Sequence, residues 1–249
     1  MINAIYTIWL RNMKRYIRSK SRIIGSLGQP LFFLLILGFG LNSLSIPGMG
    51  QNYLNFIVPG IIAMTVMFTS IFSGIQIIWD KQFGFLKETL IAPISRTSIM
   101  LGQTLGGATT AIIQGLIVLV ITIFIAGFTP TVFGFLIAVL FMCLIGLSLT
   151  AFGIAIASRM EDMQGFQLIM NFVIFPLFFS SGALFPLNTA PDVLKIVAQL
   201  NPVTYGVEGI RYGLFGVSMI DPGLCFAVLG GFTIVMILIG GYLFRKIKI

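Results

Sequence analysis

None of the charged residues of this chain, 15 Lys and Arg and 7 Asp and Glu, falls within any of six long apolar stretches, residues 23–46, 53–79, 99–127, 132–157, 166–184 and 223–244. With 57% hydrophobic residues, 9% charged residues and a mean hydropathy of +1.05, the chain has too little polar surface to face water as a soluble domain. A helix of about 20 apolar residues crosses the hydrocarbon of a bilayer. Membrane strands are about 10 residues long and alternate in polarity, whereas these stretches are apolar on every face, so helices are the expectation. The predicted fold is therefore all-α and integral to a membrane, a single domain over 1–249 with an interfacial helix at 1–22, a six-helix body at 23–244 and a tail at 245–249.

Orientation follows from the cations, because Lys and Arg near span ends stay on the cytoplasmic side. Arg11, Lys14, Arg15, Arg18, Lys20 and Arg22 precede the first stretch, and Lys81, Lys87 and Arg96 follow the second. Arg159 follows the fourth, Arg245, Lys246 and Lys248 close the chain, and only Lys195 and Arg211 lie on the other side. Both termini are thus expected in the cytoplasm. The net charge of +8 reads as a topogenic, lipid-facing surface, with no nucleic acid among the expected partners. Cys143 and Cys225 read as small hydrophobes. The first stretch is too long for a signal peptide and is expected to stay in the mature protein.

Before the first stretch, Ile2, Ile5, Tyr6, Trp9, Met13, Tyr16 and Ile17 recur at helical steps, with Arg11, Lys14, Arg15 and Arg18 turned away. This describes an amphipathic helix in the inner interface, either a plain anchor or a lever on the first span. The longest inner loop, residues 80–98, carries its own stripe of Phe83, Leu86, Leu90 and Ile91, followed by Pro93 as a stop. That short helix either rests in the interface or fills a groove on a cytosolic partner, with Lys87 and Glu88 at the rim. On the outer side, Pro186, Pro191, Pro202 and Pro222 break an apolar segment into pieces too short to span, and 191–200 and 203–220 are expected to be short helices dipping back into the membrane. Glu208 and Arg211, three residues apart, are placed to neutralise each other there. Small residues within spans, among them Gly102, Gly106, Gly107, Gly146, Gly153, Gly230, Gly231, Gly240 and Gly241, read as helix-packing positions.

A chain without histidine, and without an acid inside a span, lacks the groups for a Ser-His-Asp site, an aspartate pair or a histidine metal site, so neither catalytic nor metal-ligating residues are assigned. Ion-coupled carriers commonly hold ionisable groups at the bilayer midplane, which demotes that class. No G-x-x-x-x-G-K-[ST] occurs, and the inner pieces, 1–22, 80–98, 158–165 and 245–249, are too small for an ATPase domain of about 100 residues or more. Any nucleotide-driven transport would need a separate ATPase.

The run from Phe83 through Gly84, Leu86, Lys87, Glu88, Leu90 and Pro93 to Arg96 resembles the characteristic loop of type-2 ABC exporter permeases, such as the daunorubicin-resistance and nodulation-factor export subunits. Ser181-Gly-Ala-Leu-Phe-Pro186, Pro191, Asn201-Pro-Val-Thr-Tyr-Gly206 and Arg211 are similar to that family's outer segment. The resemblance implies a permease subunit, not an enzyme, that pairs with a second permease as a homo- or heterodimer within membrane lipids. It implies ATPase subunits that carry ATP and Mg, while this chain itself holds no cofactor. It makes Trp9, Met13 and Tyr16 part of a connecting helix, and the 83–96 run the coupling segment. It places a cargo pathway beside the second and fifth spans, where Phe68, Thr69, Phe72, Ser73, Gln76, Asn171, Phe175, Phe178 and Phe179 are the candidates. The expected function is ATP-driven export of a hydrophobic, amphipathic or lipid- or glycan-linked cargo across a prokaryotic plasma membrane by alternating access. The alternative is a secondary carrier or channel working without an ATPase.

Overall fold

The computed structural model describes residues 2–41, 52–91 and 93–247, all but the Lys87 side chain among them. The end of the first expected span and most of the loop after it lie outside these residues. Every regular element among them is helical. Helix α1 (Ile2–Arg18) breaks at Ser19 before α2 (Lys20–Phe33), which runs into a π-helical turn, Leu34–Phe39. Pro30 within α2 withholds one amide, and the hydrogen-bond ladder widens a turn later. Helices α3 (Tyr53–Phe72) and α4 (Ile75–Gln82) are nearly continuous, and α5 (Phe85–Ile91) follows a turn at Gly84. The long α6 (Arg96–Ala126) and α7 (Val132–Ala157) come next, then α8 (Met163–Phe179), the short helices α9 (Asp192–Leu200) and α10 (Pro202–Phe215), and α11 (Pro222–Arg245).

Starts are set by side chains that accept from otherwise unpaired first-turn amides. Ser95, Thr131, Asp162, Asn201 and Asp221 cap α6, α7, α8, α10 and α11 in this way. Among the described residues, five stretches are long and apolar enough to cross a membrane: Lys20–Phe39, Tyr53–Gln82, Arg96–Ala126, Val132–Ala157 and Pro222–Arg245. Helix α8 is apolar but has 17 residues, about 25 Å against a hydrocarbon core of about 30 Å. The expected fifth span, 166–184, is therefore helical only to Phe179. It stops because its last carbonyls find side-chain donors: Ser180 Oγ gives to Pro176 O at 2.7 Å, Asn201 Nδ2 to Leu177 O at 2.6 Å and Ser181 Oγ to Phe178 O at 2.7 Å. Gly182 then turns the chain at φ 71°.

Helix α3 is the spine, with Ile57, Val58, Ile61, Ile62, Val66, Met67 and Ile71 sealed from solvent. It packs on α6, α7, α8 and α10, while α11 lies against α7 and α1 against α6. Where α3 gives way to α4 the backbone passes directly over α7: a Cβ on Gly74 would lie 2.6 Å from Gly153 O, and one on Gly153 2.5 Å from Ile71 O. Only glycine on both sides permits that crossing. Gly230 and Gly231, expected as packing positions, meet nothing within 4 Å among the described residues.

Candidate functional site: a mixed polar and aromatic cavity beside α1

Helix α1 is not a simple interfacial helix. Its expected stripe divides, with Met13 and Tyr16 buried alongside Ile8, whereas Ile2, Tyr6 and Ile17 stay exposed. The buried side docks on α6 over Gly102 and Gly106, where a Cβ would fall 2.8 Å from Ile8 Cβ and 2.8 Å from Asn12 Cβ respectively. A polar ladder joins the two helices. Trp9 Nε1 donates to Thr109 Oγ1 at 3.1 Å, Asn12 Nδ2 to Gln103 Oε1 at 2.7 Å and Tyr16 OH to Gln114 Oε1 at 2.6 Å. Gln114 also reaches Ile23 O at 3.1 Å, which secures the start of α2. In a dry helix interface each such bond carries a larger penalty for being left unmade than it would in water.

Arg11 and Arg15, expected to turn away, instead reach Asp80 near the end of α4, at 2.8 and 3.9 Å. Asp80 is almost wholly buried and also accepts from Gln76 at 2.8 Å and Gln103 at 3.4 Å. A buried carboxylate is tolerated only with such partners. Burial lowers the pKa of Arg15, Asp80 opposes that shift, and repulsion from Arg11 and Arg22 adds to it. Beside Asp80, Lys81 Nζ donates to the carbonyls of Ala157, Ser158 and Met160 at 3.2, 2.7 and 3.0 Å. The end of α4 is thus fastened both to α1 and to the link between α7 and α8.

Between α1 and α2 on one side and α3, α4 and α6 on the other lies a cavity of about 760 Å³. The expected pathway residues Phe68, Thr69, Phe72, Ser73 and Gln76 all line it, together with Phe83. Of the expected fifth-span candidates, Phe175 meets Phe68 edge to face at 5.8 Å between ring centres, and Phe179 stacks on Phe175 at 6.2 Å. Phe178 is buried 5.6 Å from Phe179, and Asn171 is half-buried on α8 outside the cavity lining. The second- and fifth-span candidates are thus linked through an aromatic row, although the cavity opens beside only the first set.

The coupling run also divides. Leu86 is buried and Leu90 packs against the core, while Phe83, Phe85, Glu88 and Ile91 are exposed. Gly84 makes the turn into α5 at φ 78°, Phe83 rests on Trp79 at 5.5 Å, and Pro93 is exposed. Arg96 faces the other way, donating to the carbonyls of Arg245 and Ile247 at 2.7 and 3.0 Å.

At the opposite end, the Glu208 and Arg211 side chains pair in a buried site of α10. Glu208 accepts from the Met219 amide at 2.6 Å, and Arg211 donates to Gly182 O at 3.1 Å and lies 4.4 Å over the Phe56 ring. The pair therefore joins α10 to α3 and to both flanking loops.

The residues that sequence reading missed are Asp80, Arg15, Arg22, Asn12, Gln103 and Gln114. The amides on α6 were a readable signal, since a glutamine inside an otherwise apolar span needs a partner.

These features define an all-helical, multi-pass membrane protein with an open-sided cavity between its helices and no catalytic constellation among the described residues. Residues 3–215 match the family ABC-2 type transporter, and the chain belongs to that family. It is 31% identical to ycf38 of Cyanophora paradoxa over 99% of this chain and 89% of that protein. It is 26% identical to the inner membrane transport permease YadH of Escherichia coli, over 95% and 92%, and 26% identical to nodulation protein J of Rhizobium meliloti, over 96% and 92%. The chain is a membrane transport permease, and permeases of this family generally work with an ATPase subunit.

Proposed function

We propose that the chain is the membrane subunit of an ABC exporter that moves a hydrophobic, amphipathic or lipid- or glycan-linked cargo by alternating access. Separate ATPase subunits supply ATP and Mg chemistry, and a second permease completes the translocation unit. In this reading α8 is the fifth of six crossings despite its length, both termini are cytoplasmic, α9 and α10 re-enter the membrane from outside, and the whole chain acts as one domain. The membrane is a prokaryotic plasma membrane, in keeping with the inner-membrane name of YadH, while the ycf38 relatives extend the family to algae.

The observation that carries this reading is the position of α5. It presents Phe85, Glu88 and Ile91 outward, with Phe83 exposed just ahead of it, while Leu86 anchors it to the core, and it follows directly on the helix that lines the cavity. A push on α5 reaches Asp80, and through Asp80 it reaches α1 and the cavity wall. The test is copurification of a P-loop ATPase encoded beside this chain, followed by ATP-dependent transport in vesicles. Glu88→Lys and Phe83→Asp should uncouple transport by tenfold or more, since charge and contact at an interface centre decide docking, while membrane insertion stays intact. Unchanged transport in both variants, or uphill transport by the chain without an ATPase, refutes the reading.

A further inference from the structure

The lining of the cavity is graded in a way that specifies the cargo more narrowly. At one end stand Arg15, Arg22, Asn12, Tyr16, Gln103 and Asp80. Asp80 is already engaged by Arg11 at 2.8 Å and stands 3.9 Å from Arg15, and the Arg22 side chain has no hydrogen-bond or ion-pair partner among the described residues. Two guanidiniums thus face the cavity against a single carboxylate that a third arginine, outside the lining, already holds. Toward the other end the wall is Pro30, Met64, Phe68 and Phe72 with Thr65 and Thr69 between them, while the aromatic rings of Trp79 and Phe83 flank the arginine end. From Asp80 to Phe68 along the α3 and α4 axis is about 18 Å at 1.5 Å per residue, long enough for an acyl-like chain. The volume of about 760 Å³ suits a ligand of that size.

We infer that this cavity binds an amphiphile with an anionic oxyanion head, held between Arg15 and Arg22, with its apolar chain along Phe68 and Phe72. The inference rests on the exporter reading for its role in transport but not for the binding itself. Guanidinium forks match phosphate and carboxylate oxygens in two-point contacts. Arg22 is exposed and the Arg15 side chain is 38% exposed, so a head entering from the open side reaches both; a neutral head would forgo the charge-assisted bonds, and a cationic head would be repelled. A free anion lacks the chain that the aromatic wall is shaped to hold.

The test is equilibrium binding to the purified full-length chain in neutral detergent, without any ATPase. The probes are 1-oleoyl lysophosphatidic acid, monooleoylglycerol, oleyl trimethylammonium and inorganic phosphate. The phosphate amphiphile should bind tenfold or more tighter than the neutral one, and tighter than inorganic phosphate or the cationic probe. Arg15→Gln and Arg22→Gln should each cost it about tenfold and leave the neutral probe unchanged, which also shows that the variants are folded. Phe68→Ala should weaken both oleoyl probes. Equal binding of charged and neutral probes, preference for the cationic one, phosphate alone binding as well as the amphiphile, or arginine variants that keep the preference would each overturn the inference. Absence of an ATPase partner would sink the exporter reading and leave this binding result standing.

Discussion

Replacing Asp80 with asparagine removes one charge at the point where α1, α4 and α6 meet and changes almost no volume. The carboxylate is 3% exposed and its main partner Arg11 is 35% exposed, so the pair is neither fully buried nor a surface pair. Breaking a buried pair costs about 3–5 kcal/mol, and an exposed pair is worth about 0–1 kcal/mol. The contact at 2.8 Å from Arg11 is a charge-assisted hydrogen bond, worth about 1.5–3 kcal/mol. Arg15 at 3.9 Å adds little, because its side chain is 38% exposed and can turn to water. The amide can keep one of the bonds from Gln76 or Gln103 but not all of them, so the expected loss is about 2 kcal/mol. Unfolding in mixed micelles, followed by helix signal, measures it. Amide exchange should rise along α1 and stay unchanged in α7, since Asp80 pairs with α1 through Arg11, while the Trp9, Asn12 and Tyr16 bonds keep α1 docked on α6. In a double-mutant cycle with Arg11→Gln, the two losses should overlap by about 1 kcal/mol or more. A stability within about 0.5 kcal/mol of the unmodified protein, or strictly additive losses, would refute the role given to Asp80.

Glu208→Gln should be more damaging, because it strands the Arg211 charge in a site only 2% exposed; a loss of about 3–5 kcal/mol is expected by thermal unfolding, and a variant as stable as the parent would contradict the pairing. Gly60→Ala should cost about 1–3 kcal/mol, since its Cβ would sit 2.5 Å from Ala183 O, a backbone atom that cannot swing aside. Gly230→Ala meets nothing within 4 Å and should be neutral or stabilising by up to about 1 kcal/mol. Equal losses in the two glycine variants would refute the packing argument. Asn201→Ala should cost about 1–2 kcal/mol, with faster amide exchange confined to the C-terminal turn of α8 and the start of α10.

Much of the fold was legible because a bilayer imposes a severe rule: backbone polar groups must be satisfied within the helix, and charge must stay at its ends. The stretches 132–157 and 223–244 correspond closely to α7 and α11, Val132–Ala157 and Pro222–Arg245. The stretch 166–184 did not, because the uncharged run continues through Ser180-Ser181-Gly182-Ala183 while the helical hydrogen bonding does not; Asn201, distant in the chain, supplies one of the terminating donors. The candidate site was half legible. Phe68, Phe72 and Gln76 were grouped by what the family resemblance implied for the second span, and the structure places them on one cavity wall. The opposing wall escaped notice, since Arg15 and Arg22 were read only as markers of orientation.

Which family's loops it carries was legible in particular residues, Phe83 to Arg96 and Ser181 to Gly206, while composition and charge placement alone determined that this is a helical membrane protein and where most of its helices run. These properties are additive along the chain, being sums of transfer energies and of charges kept outside the apolar stretches. Tertiary structure alone decided which polar groups meet. Asp80 joins Arg11 and Gln103, Tyr16 finds Gln114, and Arg211 settles between Glu208, Gly182 and Phe56. Such pairings depend on which helix faces approach and at what depth, and that is set by the close packing of small residues such as Gly74 against Gly153, a pairwise property that no single stretch of sequence contains.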